Sequence, residues 1–220
     1  MKSALGQPTQ AGEGTCTTDE SRRTGTSVRS DDGAASTEAG RTPQESAAHP
    51  SPTAALAAEL QHRADHERDL MRRAQADPTP RRRQDIIACR RANADALKAV
   101  VHRHGWPTDD QVGASASTAA LMILLHAPDL DFQLSCRDLI AQAALDGRCP
   151  AVHLAYIADH CAVEQRLPQF YGTRVNPVTL RPYPVRRPES LDERRRDVGL
   201  GPLAEQMEAL TIEVGDRVVP

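Results

Sequence analysis

The sequence predicts an all-α fold: a single compact domain of six or seven helices with a central buried helix, and room for one short β-hairpin. After residue 51, apolar residues recur at helical spacing, and helix-starting and helix-ending residues separate the segments. The most apolar run, residues 119–126, is apolar on every side between residues 121 and 125, which is typical of a helix buried all round. We therefore expect residues 121–125 to be the most buried segment.

The predicted domain occupies residues 52–212, between an N-terminal tail, residues 1–51, and a short C-terminal tail, residues 213–220. The N-terminal tail is rich in Ser, Thr, Gly, Ala and Pro. It holds too few large apolar residues to offset the entropy of ordering it, so we expect it to be disordered.

Helix starts and stops predict the elements of the domain in order. The expected helices lie at about residues 51–75, 82–104, 113–126, 129–145, 150–168, 189–198 and 202–210. Gly105 is the expected C-cap of the second helix, and Thr108 or Asp109 caps a short turn before the central helix. Two short extended pieces flank Asn176-Pro177, but the prolines that follow limit the second piece to an edge strand.

Composition and charge exclude several classes of protein. The net charge is -3 and aromatic residues make up 3% of the chain, so nothing draws it globally toward nucleic acid or an anionic membrane. The five cysteines form no CxxC pair, which favours reduced thiols. The start of the chain lacks the apolar segment of a signal peptide, and the longest apolar run is far shorter than the roughly 20 residues of a membrane span. We therefore expect a cytoplasmic protein that does not enter the membrane.

Histidine pairs at helical spacing do not predict a metal site. His62 and His66 lie one turn apart, but Arg63 stands where the zinc-protease pattern needs Glu, so a solvated face is favoured. His153 and His160 share one side of the fifth helix without further ligands in the pattern. The sequence predicts no metal and no cofactor.

Several short motifs follow one another in a fixed order. They are Gly105-Trp106-Pro107, the apolar run ending in His126-Ala127, Phe132-Gln133, Ala155-Tyr156-Ile157-Ala158-Asp159, Gln169-Phe170-Tyr171-Gly172-Thr173, Leu191-Asp192-Glu193-Arg194-Arg195 and Gly199-Leu200-Gly201-Pro202-Leu203-Ala204-Glu205. In this set the chain resembles an uncharacterised bacterial family, domain of unknown function 6624, over about residues 55–210. The resemblance implies a mostly helical single domain, and it brings no activity with it.

The chain departs from the family pattern beside its polar positions. Leu125 precedes the histidine where the family often has Gln, Asp159 lies between Ala158 and His160 instead of Thr and Arg, and Arg174 follows Tyr-Gly-Thr instead of Gln. One hypothesis is that this member is altered or inactive, if the family is enzymatic. Another is that Arg174 supplies the guanidinium missing at position 160.

His126 and Asp159 are the candidate catalytic residues. His126 ends the central helix, where the helix dipole favours its protonated form, so it is either a general acid or base or a cap for terminal carbonyls. Asp159 either orients His126 across the core or pairs with an arginine of residues 194–196. No Ser or Cys nucleophile shows a recognisable pattern.

A polar loop supplies the candidate ligand-binding residues. If the loop is extended, alternation places Gln169, Tyr171 and Thr173 on one side, with Arg174 next to them. Gln133, in the Phe132-Gln133 motif, completes the set of candidates. These groups either bind a small polar ligand or satisfy the ends of the surrounding helices.

Two arginine clusters suggest a weaker hypothesis, nucleic-acid binding. Residues 81–91 and 186–196 each hold five arginines, but acidic residues interleave the second cluster and no stacking aromatics accompany either one. The favoured function is therefore a binding or regulatory module with a polar pocket near His126 and the Tyr171-Gly172-Thr173 loop. The alternative is a small hydrolase- or transferase-like enzyme that uses His126 and Asp159.

Overall fold

The computed structural model describes the backbone of residues 51–218 and the side chains of residues 51–210. The chain divides into two units, Met1–Ser46 and Ala47–Pro220, and every described residue belongs to the second. The predicted N-terminal tail lies outside the described residues, except for Ser51.

The all-α prediction is confirmed, and the described residues form eight α-helices. Their bounds are α1 Pro52–Ala76, α2 Pro80–His104, α3 Asp109–Val112, α4 Ala114–Leu125, α5 Leu130–Leu145, α6 Ala151–Glu164, α7 Leu191–Asp197 and α8 Leu203–Val218. The expected short turn after Thr108 forms the four-residue helix α3, which brings the number to eight. Helix α8 continues past residue 212, where the sequence placed the end of the domain.

Local caps explain where the helices begin and end. Ser51 and Asp129 each accept a backbone N–H from the first turn of their helix, α1 and α5. Gly105 ends α2 at a φ of 75°, a left-handed backbone that a glycine adopts without strain. Helix α6 ends at Glu164, before the predicted end at Pro168, because Arg166 takes a positive φ and the N–H of Leu167 turns back to the Ala162 carbonyl.

The predicted hairpin is reduced to one antiparallel bridge, Val175 to Pro182, and residues 51–218 contain no strand. A second, parallel bridge joins Gln169 to Val185. Pro182 and Pro184 have no N–H to donate, so a ladder cannot continue along this segment. The segment after α6 is therefore an irregular loop.

The central helix α4 packs against α1, α2, α3 and α6. Leu121, Ile123 and Leu124 are at most 3% exposed and lie in the main hydrophobic core. Met122, in contrast, is 41% exposed, so the expectation of burial on every side is wrong at this residue. The exposed side of α4 borders a groove, and this groove leads to the candidate site.

Candidate functional site

Two side chains from different helices meet at the C-terminal end of the central helix. His126 is the C-cap of α4, and Glu67 lies on α1. The Nδ1 atom of His126 is 2.8 Å from Oε1 of Glu67. Because an ionised carboxylate can only accept a hydrogen bond, the His126 ring donates through its Nδ1–H. The other ring nitrogen, Nε2, takes no part in this contact. We call this arrangement the Glu67–His126 pair.

Glu67, on α1, is a buried carboxylate, 3% exposed, with three donors around it from α2 and the end of α4. Besides His126, Arg90 donates from Nε to Oε1 at 2.7 Å, and Asn93 donates from Nδ2 to Oε2 at 3.3 Å. Burial alone would raise the pKa of Glu67, but the hydrogen bonds and charges of His126 and Arg90 outweigh it and lower the pKa to about 2. The carboxylate is therefore ionised at neutral pH, and α1, α2 and α4 converge on one negative charge.

A groove between α1 and α4 lies beside the Glu67–His126 pair. Its volume is about 250 Å³, and its walls include Glu67, Met71, Met122 and His126. The His126 side chain is 30% exposed, and its Nε2 has no hydrogen-bond partner among residues 51–210. The two methionines provide flexible apolar walls that adapt to different shapes. The imidazole is thus oriented from inside and accessible from outside, as a general base or a ligand-binding histidine must be.

A larger cavity, of about 670 Å³, lies between the start of α1 and the end of α2. Its walls include aliphatic residues such as Leu56 and Val100, together with Glu59 and Arg63, which pair with each other at 2.7 Å. None of the candidate residues lines it. We therefore place the candidate site at the smaller groove, where an oriented ionisable group is available.

Asp159 holds the polar loop in place. It is fully buried, and its Oδ1 accepts the backbone N–H of Phe170 at 2.6 Å and of Tyr171 at 3.0 Å. Its Oδ2 accepts both the N–H and the hydroxyl of Thr173, each at 2.9 Å. These four donors occupy the carboxylate, so the predicted orientation of His126 by Asp159 is not formed. Glu67 takes that role.

Arg195 contacts the same loop from the other side. The alternative expectation, an ion pair between Asp159 and an arginine of residues 194–196, is therefore corrected. Arg195 is 1% exposed and donates from Nη1 to the Tyr171 carbonyl at 2.7 Å. Asp159 accepts the N–H of that same residue, so the two charges are connected through the Tyr171 backbone instead of forming an ion pair. Burial lowers the pKa of Arg195, and the charge of Asp159 opposes this.

The predicted ligand-binding glutamines are used by the backbone. Gln133 is 3% exposed and donates to the carbonyls of Leu124 and Ala127, both at 3.0 Å, which closes the end of α4. Gln169 is fully buried and makes two hydrogen bonds with the Arg174 backbone and a third with the Tyr183 carbonyl. Both side chains therefore support the structure around the site.

Of the remaining loop candidates, Thr173 donates its hydroxyl to Asp159, and Tyr171 is half-buried. Arg174 extends toward α6, where its Nη2 is 3.8 Å from Oε1 of Glu164. Glu164 lies one turn beyond His160 on that helix. Arg174 therefore lies against the helix face that carries His160, as the hypothesis of an exchanged guanidinium requires.

Each arginine cluster is occupied in part within the protein. Arg90 pairs with Glu67, and Arg194 donates to three backbone carbonyls, those of Phe170, Arg186 and Arg187. The second cluster does have an aromatic partner, contrary to our expectation, since the Arg186 guanidinium carbon lies 4.8 Å from the ring centroid of Phe170.

Neither Glu67 nor Arg90 was predicted from the sequence as a site residue. Glu67 follows His66 in a stretch that we assigned to a solvated face, and His66 is indeed exposed. A signal was present, because Leu60, Ala64, Glu67 and Met71 follow one another at spacings of three and four, which places Glu67 on the apolar stripe of α1. A carboxylate on such a stripe predicts a buried partner.

Other site types find little support. Among the side chains of residues 51–210, no group of three or more His, Cys, Asp and Glu is arranged to hold a metal ion. The four cysteines that the structure describes are free, and burial raises the pKa of Cys136 to about 12. No helix in the described range has the length and apolarity needed to cross a membrane.

Comparison with known proteins gives a family for the chain. No curated protein and no solved structure matches it significantly. A family model matches residues 62–218, a range that contains Glu67, Arg90, His126 and the whole polar loop. The chain therefore belongs to a family of unknown function, domain of unknown function 6624.

Proposed function

We propose that the domain binds a small polar ligand in the groove between α1 and α4, with His126 Nε2 as the central contact. The observation that carries this proposal is the Glu67–His126 pair. Glu67 fixes the ring through Nδ1, the His126 side chain is 30% exposed, and its Nε2 has no hydrogen-bond partner among residues 51–210. A ligand that meets this nitrogen gains a hydrogen bond without having to order the ring first.

The second candidate function is a small hydrolase- or transferase-like enzyme with His126 as its general base. The same pair favours it, because a carboxylate that holds an imidazole in one tautomer is the arrangement that base catalysis uses. The roles differ from those that the sequence suggested, since Glu67 and not Asp159 is the orienting carboxylate. Binding of a ligand that is then converted would join the two candidates.

A thermal-shift screen tests the binding proposal. Small carboxylates, phosphates, amides and sugars are added to the protein, because a ligand that binds the native state raises its melting temperature. We expect a compound that stabilises the native protein and has little effect on the variant His126→Asn. Asparagine keeps an N–H near the Nδ1 position, where Glu67 accepts it. It has no atom at the position of Nε2, so the proposed ligand contact is lost.

The matched control is His102→Gln, since His102 is an exposed histidine on α2 outside the groove. The control should respond to the compound as the native protein does. Equal stabilisation of the His126→Asn variant would contradict the proposal. Turnover of a bound compound, if it disappears in His126→Asn and in Glu67→Gln, would favour the enzyme.

A further inference from the structure

Two buried nitrogen atoms, one on α6 and one on the loop that follows it, have no hydrogen-bond partner among the described residues. They are Nδ1 of His160 and Nε of Arg174. His160 is 6% exposed, although the imidazole ring has two polar atoms to satisfy. Buried polar atoms without a partner are rare in native proteins and require an explanation, of which a missing ligand is one.

The loop holds Arg174 in a fixed position against α6. Gln169 accepts the Arg174 N–H at 2.9 Å and donates to its carbonyl at 3.0 Å. The preceding residue, Thr173, is bound to the buried Asp159 through both its N–H and its hydroxyl. These buried anchors fix the Arg174 backbone, from which the guanidinium extends toward α6.

The charges at this position favour an anionic group. Burial, and then the positive charge of Arg174, lower the pKa of His160 to about 4, so its ring is neutral at neutral pH and can donate from Nδ1. The carboxylate that pairs with Arg174, Glu164, is half exposed and lies 3.8 Å from the terminal Nη2, which leaves Nε unused. An oxygen that accepts from both orphan nitrogens, and carries negative charge, matches this set of donors.

We propose that His160 and Arg174 bind a small anion through its carboxylate or phosphate group. This anion site does not rest on the function proposed above. The anion-binding position itself depends on α6 and the loop.

Calorimetric titration with inorganic phosphate and with acetate tests this assignment. We expect saturable binding of at least one of them to the native protein, weakened about tenfold or more in Arg174→Met, since a charged hydrogen bond and an opposite charge are lost. Arg181→Met is the matched control, because Arg181 is an exposed arginine of the same loop, and it should bind as the native protein does. Glu164→Gln should bind more tightly, since it removes a competing negative charge.

A second variant separates binding from folding. His160→Phe keeps an aromatic ring and removes the unpartnered Nδ1, so it should melt no lower than the native protein and still bind phosphate or acetate more weakly. The absence of saturable binding to the native protein, or unchanged binding in Arg174→Met and His160→Phe, would overturn the assignment. Binding of the anion that survives in His126→Asn, while the screened compound no longer binds, would retain the anion site and localise the proposed function to His126.

Discussion

The replacement Glu67→Gln removes the charge on which three helices converge and keeps the size of the side chain. The native carboxylate accepts from His126, Arg90 and Asn93 while it is 3% exposed. An amide retains one acceptor oxygen and turns an N–H₂ group toward the remaining donors, so at least one buried donor loses its partner. We therefore expect a large loss of stability at neutral pH.

The pKa of Glu67 gives the magnitude. Its fall from 4.5 to about 2 corresponds to about 3 kcal/mol of stability, at about 1.36 kcal/mol per pKa unit. Because the folded pKa lies below the unfolded one, this stability is present above 4.5 and is lost as the pH falls toward 2. The difference between the native protein and Glu67→Gln should shrink over that interval.

Urea denaturation followed by far-UV circular dichroism, at neutral pH and at several acidic values, measures the effect. The control is Glu59→Gln on the same helix, where the carboxylate is 51% exposed and its pair with Arg63 contributes about 0.5 kcal/mol. A loss of about 3 kcal/mol should lower the melting temperature by roughly 6–12 °C. If Glu67→Gln lowers the free energy of unfolding no more than Glu59→Gln does, or by the same amount at every pH, the buried charge of Glu67 does not stabilise the three helices.

Two further replacements test the surroundings of the site. Asp159→Asn should lower the free energy of unfolding by about 3 kcal/mol, because hydrogen bonds to a buried charge are weakened. Hydrogen-exchange NMR should then show faster solvent exchange of the Tyr171 and Thr173 amides. Unchanged exchange would show that Asp159 does not hold the loop. Ser117→Ala should leave the free energy of unfolding unchanged or raise it by about 1 kcal/mol, because the buried Ser117 hydroxyl has no partner among the described residues. A clear fall in the free energy of unfolding, measured by urea denaturation, would show that this hydroxyl does make a stabilising contact.

Helix positions could be predicted from the sequence because their signals are local. Gly105 and Asp129 end and begin helices through bonds to residues a few positions away, and the patterns around them gave these boundaries within a few residues. The end of α6 was placed too late, since nothing in the local pattern shows that Arg166 adopts a positive φ. Exposure of Met122 was missed because an apolar helix does not reveal which side lacks a neighbour.

The candidate site could be predicted only in part. His126 stood out at the end of an apolar run, but its partner Glu67 lies on a different helix, and the pairing depends on how α1 packs against α4. Asp159 is the carboxylate in the motifs that the sequence offered as a partner for His126. It instead accepts hydrogen bonds from the loop that follows α6. Short motifs thus identified His126 and Asp159, while tertiary packing decided which side chains they touch.

Nitrogen NMR of the histidine rings tests the central claim most directly. With Glu67 accepting from His126, the proton of the neutral ring should reside on Nδ1, and the Nε2 resonance should shift when a compound from the screen binds. Glu67→Gln should weaken this preference for the Nδ1 tautomer. Two results would contradict the assignment of this histidine as the ligand contact. One is a native His126 with its proton on Nε2, and the other is an Nε2 chemical shift that no stabilising compound changes.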